Sequence, residues 1–205
     1  MSLFSSLFSF FFSTFQQVPW EVTAFASSLV FYHVSEYVIA AVYNRSTLSS
    51  SSWLLSKQYC IAMSAACVEY ALEYALLPTI KGHGVVCAVG LAMVVMGDGL
   101  RKAAEITARH NFTHQIMLYR RPEHVLVQHG VYRYVRHPGY LGWLWWSVGT
   151  QVLLCNPLCC VAFAYVSWRF FSQRVPFEES LLRNMFPGAY AAYAAKTPTW
   201  IPGIP

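Results

Sequence analysis

Apolar residues run along this chain in long blocks separated by short polar breaks. The first, Met1 to about Gln16, predicts a short helix, marginal as a bilayer crossing that takes ~20 residues. It is apolar and Ser-rich without a basic leader or a good small-residue cleavage site, so it is read as a retained segment, not a signal peptide. Pro19-Trp20 marks a break, and Trp20 to Tyr43 predicts the first full span, with His33 and Glu36 inside it. Asn44-Arg45-Ser46 and Ser49 to Ser52 make a polar loop. The next span is predicted from Trp53 to Leu77 and stops at Pro78. After a turn at Lys81-Gly82-His83-Gly84, Val85 to Leu100 returns. A polar stretch reaches Arg136. Gly139 to Leu154 and Leu158 to Phe171 then predict a helical hairpin through Cys155-Asn156-Pro157, followed by a polar tail with Glu178 and Glu179.

Composition turns these blocks into a membrane protein. The chain is 56% hydrophobic and 11% charged, where a soluble domain carries ~25% charged residues. Mean hydropathy is +0.40. Between Asp98 and His137 lie Arg101, Lys102, Arg109, Arg120, Arg121, Arg133 and Arg136, half of the 14 Lys and Arg. The positive-inside rule places that stretch in the cytosol. Counting spans back from it puts both chain ends and the Asn44 loop there too, with Lys81 a minor exception. The basic residues sit beside membrane helices and carry no nucleic-acid motif, so no nucleic-acid partner is expected. The six cysteines, Cys60, Cys67, Cys87, Cys155, Cys159 and Cys160, form no Cys-x-x-Cys pair; they read as buried apolar residues, without zinc or a disulfide framework.

Candidate chemistry gathers on the basic face. Pro138 fixes φ and biases His137 out of the helical region, so a helix is expected to start at Pro138, with Arg136 and His137 beside its free amides. Such an end favours anions; a positively flanked membrane helix accounts for it equally well. His124-Val125-Leu126-Val127 and Gly130-Val131-Tyr132 read as a short extended segment and turn, whose backbone suits a planar ligand edge or simply leads back to the membrane. Arg174 and Glu178, four apart past Trp168-Arg169-Phe170-Phe171, have the spacing of an ordinary ion pair. Charged groups at a membrane exit are also placed to hold a polar ligand. Glu69 and Glu73 share a face and invite Arg101 or Lys102, or protonation of one of them. Arg101 with Glu105, and His33 with Glu36, read as polar contacts between helices. No phosphate loop, Ser-His-Asp set or metal motif is evident.

Several stretches resemble isoprenylcysteine carboxyl methyltransferase: Gly97-Asp98-Gly99-Leu100-Arg101-Lys102-Ala103-Ala104, Asn111-Phe112-Thr113-His114, Gly130-Val131-Tyr132, Arg136-His137-Pro138-Gly139-Tyr140-Leu141-Gly142-Trp143, Gly149-Thr150-Gln151-Val152, Cys155-Asn156-Pro157, Trp168-Arg169-Phe170-Phe171 and Glu178-Glu179. The likeness is colinear from Phe31-Tyr32-His33 to Pro198. His-Pro with Glu-Glu is shared by phospholipid methyltransferases and sterol reductases; Trp168-Arg169-Phe170-Phe171 and Cys155-Asn156-Pro157 are the distinguishing stretches.

The resemblance implies an all-α integral membrane protein of about five to six transmembrane helices with a cytosol-facing cofactor pocket. Residues 1–97 would be N-terminal membrane helices and 98–205 the catalytic core, within one membrane domain. It implies a multi-pass enzyme of the endoplasmic reticulum membrane that uses S-adenosylmethionine to methylate the α-carboxylate of a C-terminal S-prenylated cysteine. Its substrates would be prenylated CaaX proteins of the small GTPase type. The cofactor residues carried over are His124, Val125, Leu126, Val127, Tyr132, His137, Pro138, Gly139, Tyr140 and Glu178; the substrate-carboxylate arginine is Arg174, and no metal is implied. A family glutamine aligns with Met117, and Gln115 is the alternative. Trp143, Trp145 and Trp146 read as interfacial anchors or a lipid-side entrance. The alternatives are a phospholipid N-methyltransferase and a non-catalytic membrane scaffold.

Overall fold

A computed structural model of the chain describes residues 18–45 and 48–204. The expected helix from Met1 to Gln16 lies outside them. All regular structure among the described residues is helical: α1 (Trp20–Tyr43), α2 (Lys57–Leu76), α3 (Gly84–Ala108), α4 (Pro138–Leu153), α5 (Pro157–Met185) and α6 (Ala189–Ala194).

Local chemistry sets the boundaries. α1 follows Pro19, whose carbonyl takes the first amides, from Val22 and Thr23. The span expected from Trp53 begins later, at Lys57. Ser50–Trp53 is instead a 3-10 turn, stopped by Leu54 at φ +56°, and the Ser56 hydroxyl then accepts the Tyr59 amide at 3.1 Å. The last long helix does not end at Phe171 but runs through Pro176 to Met185. Much of the expected polar tail is therefore helix, and the missing Pro176 N–H frees one carbonyl of the preceding turn.

The centre is the pair α3–α4, whose backbones meet through glycines. A Cβ on Gly90 would lie 2.1 Å from the Leu153 nitrogen, one on Gly97 2.5 Å from the Trp146 nitrogen, and one on Gly142 2.5 Å from the Gly97 carbonyl oxygen. Small residues permit such an approach where apolar burial offers helices in lipid little driving force. Around this seam pack Phe25, Tyr32, Met63, Cys87, Val94, Trp146, Leu153 and Leu154. A second cluster, Val135, Leu141, Phe171, Val175, Ile201 and Ile204, ties α4 and α5 to the C-terminal segment.

The α4–α5 hairpin is closed by charge. Lys81 donates to the carbonyls of Leu154 and Cys155 at 3.0 and 2.8 Å and to Asn156 Oδ1 at 2.7 Å, and pairs with Glu73 at 2.6 Å. Glu69 accepts the Leu158 and Cys159 amides at 2.7 and 2.6 Å. A cation thus meets the negative end of α4 and an anion the positive end of α5. This corrects the expected pairing of Glu69 and Glu73 with Arg101 or Lys102: the loop between α2 and α3 supplies a nearer cation, and the first amides of α5 need an acceptor.

Two other expectations change. Trp146 is no anchor or entrance; it is fully buried and stacks on Tyr32 at 4.2 Å, while Trp145 is exposed. Cys60 and Cys67 lie on the exposed face of α2, and Cys87 Sγ approaches Cys155 Sγ to 3.6 Å. Among the described residues, two helices, Trp20–Tyr43 and Gly84–Asn111, are long and apolar enough to cross a membrane by themselves. Their outer faces carry exposed apolar side chains, among them Val30, Phe31, Val38, Val85 and Val95.

Candidate active site

The His-Pro turn has the expected geometry. His137 sits at φ −123°, ψ 61°, and α4 begins at Pro138. Its carbonyl accepts the Tyr140 and Leu141 amides at 3.1 Å. The anion that meets this corner is the protein's own. Glu179 Oε1 accepts Arg136 Nε at 2.9 Å and lies 3.2 Å from His137 Nε2. Arg136 also donates Nη1 to the carbonyls of Ala194 and Thr197, and its amide to the Pro198 carbonyl at 3.0 Å. Burial would raise the Glu179 carboxyl, but the hydrogen bond from His137 and the Arg136 charge outweigh it and hold the group below the ordinary carboxylate range. Arg136 and Glu179 are thus structural partners that clamp the turn to α5 and the C-terminal segment.

Tyr140 forms the next layer. Its ring stacks on His137 and Phe171, at 5.5 and 4.9 Å between centroids. Its hydroxyl donates to Glu178 Oε2 and accepts from Arg174 Nε at 2.8 Å. The direct Arg174–Glu178 pair expected from their spacing is therefore replaced by a bridge through Tyr140, because α4 inserts that hydroxyl between them. Arg174 Nη2 donates to the His114 carbonyl at 3.0 Å, and the guanidinium lies 5.5 Å from the Phe170 ring. Nη1 has no partner among the described residues.

The segment His124–Val127 runs without regular secondary structure and is pinned at its start: the Val125 amide donates to Asn111 Oδ1 at 3.0 Å. The Leu126 and Val127 amides meet no partner among the described residues. Burial, reinforced by the nearby Arg121 charge, pushes the His124 imidazole pKa down, so the ring is neutral at physiological pH. Gly130, at φ +58°, turns the chain into a 3-10 stretch, Gly130–Arg133, that presents Tyr132.

These pieces enclose one cavity of about 170 Å³. His124, Val125, Leu126, Val127, Tyr132, His137, Pro138, Gly139, Tyr140 and Glu178 all line it. Both Gln115 and Met117 reach it as well. Arg174 does not; it stands behind Tyr140. Sequence reasoning missed Asn111, Leu181, Leu182, Met185, Tyr190 and Tyr193 on the wall. The signal for Leu181, Leu182 and Met185 was helical spacing from Glu178, legible once α5 is known to continue.

The matrix of charges at the base of the site was read correctly only in part. Arg101 lies 3.4 Å from Glu105, as their spacing suggests, but its bidentate partner is Glu36, at 2.6 and 2.9 Å. His33 is held by the Trp53 carbonyl and the Tyr59 hydroxyl at 2.7 Å each, the latter a polar contact between α1 and α2 as expected.

Comparison with known proteins bears on this geometry. Residues 89–184, from the second turn of α3 almost to the end of α5, match the model of the isoprenylcysteine carboxyl methyltransferase family. A rice protein (Oryza sativa subsp. indica) named "Probable protein-S-isoprenylcysteine O-methyltransferase" is 50% identical over 181 residues, 88% of this chain and 95% of the relative. The chain belongs to the isoprenylcysteine carboxyl methyltransferase family. Protein-S-isoprenylcysteine O-methyltransferase A of Arabidopsis thaliana is 48% identical over 178 residues, 86% of this chain and 90% of the relative. The solved structure of the eukaryotic intramembrane Ras methyltransferase of the family superposes with a TM-score of 0.87 at 37% identity, over 90% of this chain and 67% of the other. The isoprenylcysteine carboxyl methyltransferase family, with the apolar helices, makes this an integral membrane protein.

Proposed function

We propose that the chain transfers a methyl group from S-adenosylmethionine to the α-carboxylate of a C-terminal S-prenylated cysteine, forming a methyl ester. Its relatives carry the name of that activity. The observation that carries the reading is the Tyr140 hydroxyl, which touches Glu178 inside the cavity and Arg174 outside it. A donor pocket and a carboxylate receptor therefore share one wall.

The cavity suits the donor. Glu178 lines it beside Tyr132, Tyr140 and Phe186, a carboxylate that favours a cation, and the unpartnered Leu126 and Val127 amides offer hydrogen bonds to a planar edge. When bound, S-adenosylmethionine supplies a methyl group on a sulfonium whose sulfur leaves as a neutral thioether. Arg174 suits the acceptor: Nη1 is unengaged and Nη2 retains a second proton, so this edge of the fork can hold a carboxylate. An α-carboxyl group has a pKa of ~3.3–3.7 and is already ionised at neutral pH, so no base is needed. His137, held against Glu179, is accordingly a wall residue. Opposite charges vanish as the methyl moves, so strong stabilisation of either ion alone would retard reaction; the protein's task is orientation and exclusion of water, and orientation can contribute ~7–11 kcal/mol.

The acceptor brings its own lipid anchor, at ~0.8 kcal/mol per buried CH₂. Small GTPase-type CaaX proteins fit that description. We place the chemistry in residues 98–205 of an endoplasmic reticulum protein of five to six spans. Exposed Arg109, Arg120 and Arg133, with half-buried Arg121, favour a cytosol-facing site. Membranes containing the protein, incubated with labelled S-adenosylmethionine and N-acetyl-S-farnesylcysteine, test the activity. A base-labile methyl ester is expected; label in phospholipid, or no transfer, overturns it.

A further inference from the structure

Beneath the site lies a buried charge cluster to which the functional reading gives no role. Glu36, on α1 and outside the stretch that matches the family model, is 1% exposed. Its carboxylate accepts Arg101 Nε at 2.6 Å and Nη2 at 2.9 Å, is contacted by Lys102 Nζ, and lies 2.8 Å from His114 Nε2. Glu36, Glu105 and His114 present ligand atoms within 4.8 Å of one another. Arg101 and Lys102 already occupy the Glu36 oxygens, so the cations of this cluster are the protein's own.

Two arms lead from Glu36 to the site. Arg101 uses its remaining nitrogen, Nη1, to reach the Gly139 carbonyl at 3.2 Å, and Gly139 lines the donor cavity. Gly139 is itself closely covered: a Cβ there would stand 2.9 Å from the Phe112 ring, which packs over it. The second arm passes through His114. Its ring is held by Glu36, and its carbonyl accepts Arg174 Nη2 at 3.0 Å. One carboxylate thus grips a side chain bonded to the donor wall and the loop that orients the acceptor arginine.

We propose that Glu36 is a positioning residue that sets donor and acceptor walls in register, through Arg101–Gly139 on one side and His114–Arg174 on the other. The inference rests on the functional reading above. The alignment of the two reacting groups is set at a point that touches neither, and orientation is what this reaction demands of its enzyme. A bidentate carboxylate–guanidinium pair suits the task, because it fixes direction as well as distance.

Steady-state methyl-ester formation in membranes, with each substrate varied in turn, tests it on the full chain. His114→Ala removes one arm and raises the acceptor KM about tenfold, the effect of one charge-assisted hydrogen bond, with the donor KM unchanged. Arg101→Lys abolishes the fork, raises the donor KM with the acceptor KM unchanged, and lowers turnover per folded molecule. Glu36→Gln raises both. A purely structural cluster gives a different pattern: less folded protein lowers the maximal rate and leaves both KM values in place. That result, or parallel changes of both KM values in the single-arm variants, overturns the proposal. If Glu36→Gln does not accumulate, the single-arm variants decide. An unsubstituted enzyme that makes no ester overturns the functional reading and this inference together; an active one with unmoved KM values overturns this inference alone.

Discussion

Replacing Gly142 by alanine tests whether the glycine seam sets the site. The added Cβ would stand 2.5 Å from the Gly97 carbonyl oxygen and 2.8 Å from the Arg101 nitrogen, where ordinary contact begins at 3.4 Å. Both obstacles are backbone, so no rotamer relieves them, and the α3–α4 axes must part by about 0.9 Å at this level. Overpacking of this kind costs about 1–3 kcal/mol. The larger effect is on function. The Arg101 Nη1 to Gly139 bond spans the same gap at 3.2 Å, and lengthening it by most of an ångström breaks it. A 1 Å misplacement of reacting groups is worth about 10²-fold in rate. Gly142→Ala should therefore lose methyl transfer out of proportion to its loss of melting temperature, whereas Gly99→Ala, on the open face of α3 with nothing within 4 Å, should lose neither. Both are measured on detergent-purified protein, by thermal unfolding and by ester formation. Near-normal turnover in Gly142→Ala would refute the link between seam and site.

Other outcomes follow from the site itself. Arg174→Lys keeps a cation but has no fork to span Tyr140, His114 and an acceptor carboxylate, so turnover should fall about tenfold or more; near-normal turnover would remove Arg174 from that role. Glu178→Gln should weaken donor binding, measured by calorimetry, by about tenfold; unchanged affinity would show that Glu178 does not face the donor. The Glu179 carboxyl is held low in the folded protein, so its clamp on Arg136 and His137 contributes fully above the unfolded value of ~4.3 and is lost as pH falls through the lowered folded value. The unsubstituted protein should outlast Glu179→Gln in thermal melts near neutrality, and the gap should close on acidification below that value. A gap that is constant with pH would contradict the assignment.

What could be read in the sequence followed how local each signal was. The Pro138 helix start, the hairpin at Cys155-Asn156-Pro157 and the gathering of three separated stretches around one cavity all rest on backbone restrictions or on contiguous motifs. Placement of the cavity-lining residues also drew on the family likeness; their spacing alone left a helix start and a loop as adequate readings. Partners remote in sequence were less legible. Arg174 and Glu178 have ion-pair spacing, yet Tyr140, more than thirty residues upstream, intervenes. Glu69 and Glu73 look like repelling neighbours until the hairpin and Lys81 are in place. Trp146 fits an interfacial belt by composition and is buried because α1 brings Tyr32 against it. The helix past Phe171 was hidden by Pro176 and by charges that read as a tail. Glycines at Gly90, Gly97 and Gly142 mark the α3–α4 seam, a pattern visible in the chain but meaningful only once the two helices are known to be partners.

The clamp on Arg136 has a consequence for the protein's assembly during synthesis. The turn that opens α4 is held by carbonyls of Ala194, Thr197 and Pro198, made some sixty residues later. The hairpin can therefore enter the membrane while its catalytic corner is still loose. Competence to bind ligand therefore waits on the C-terminal segment, and arrives only once those carbonyls dock on Arg136.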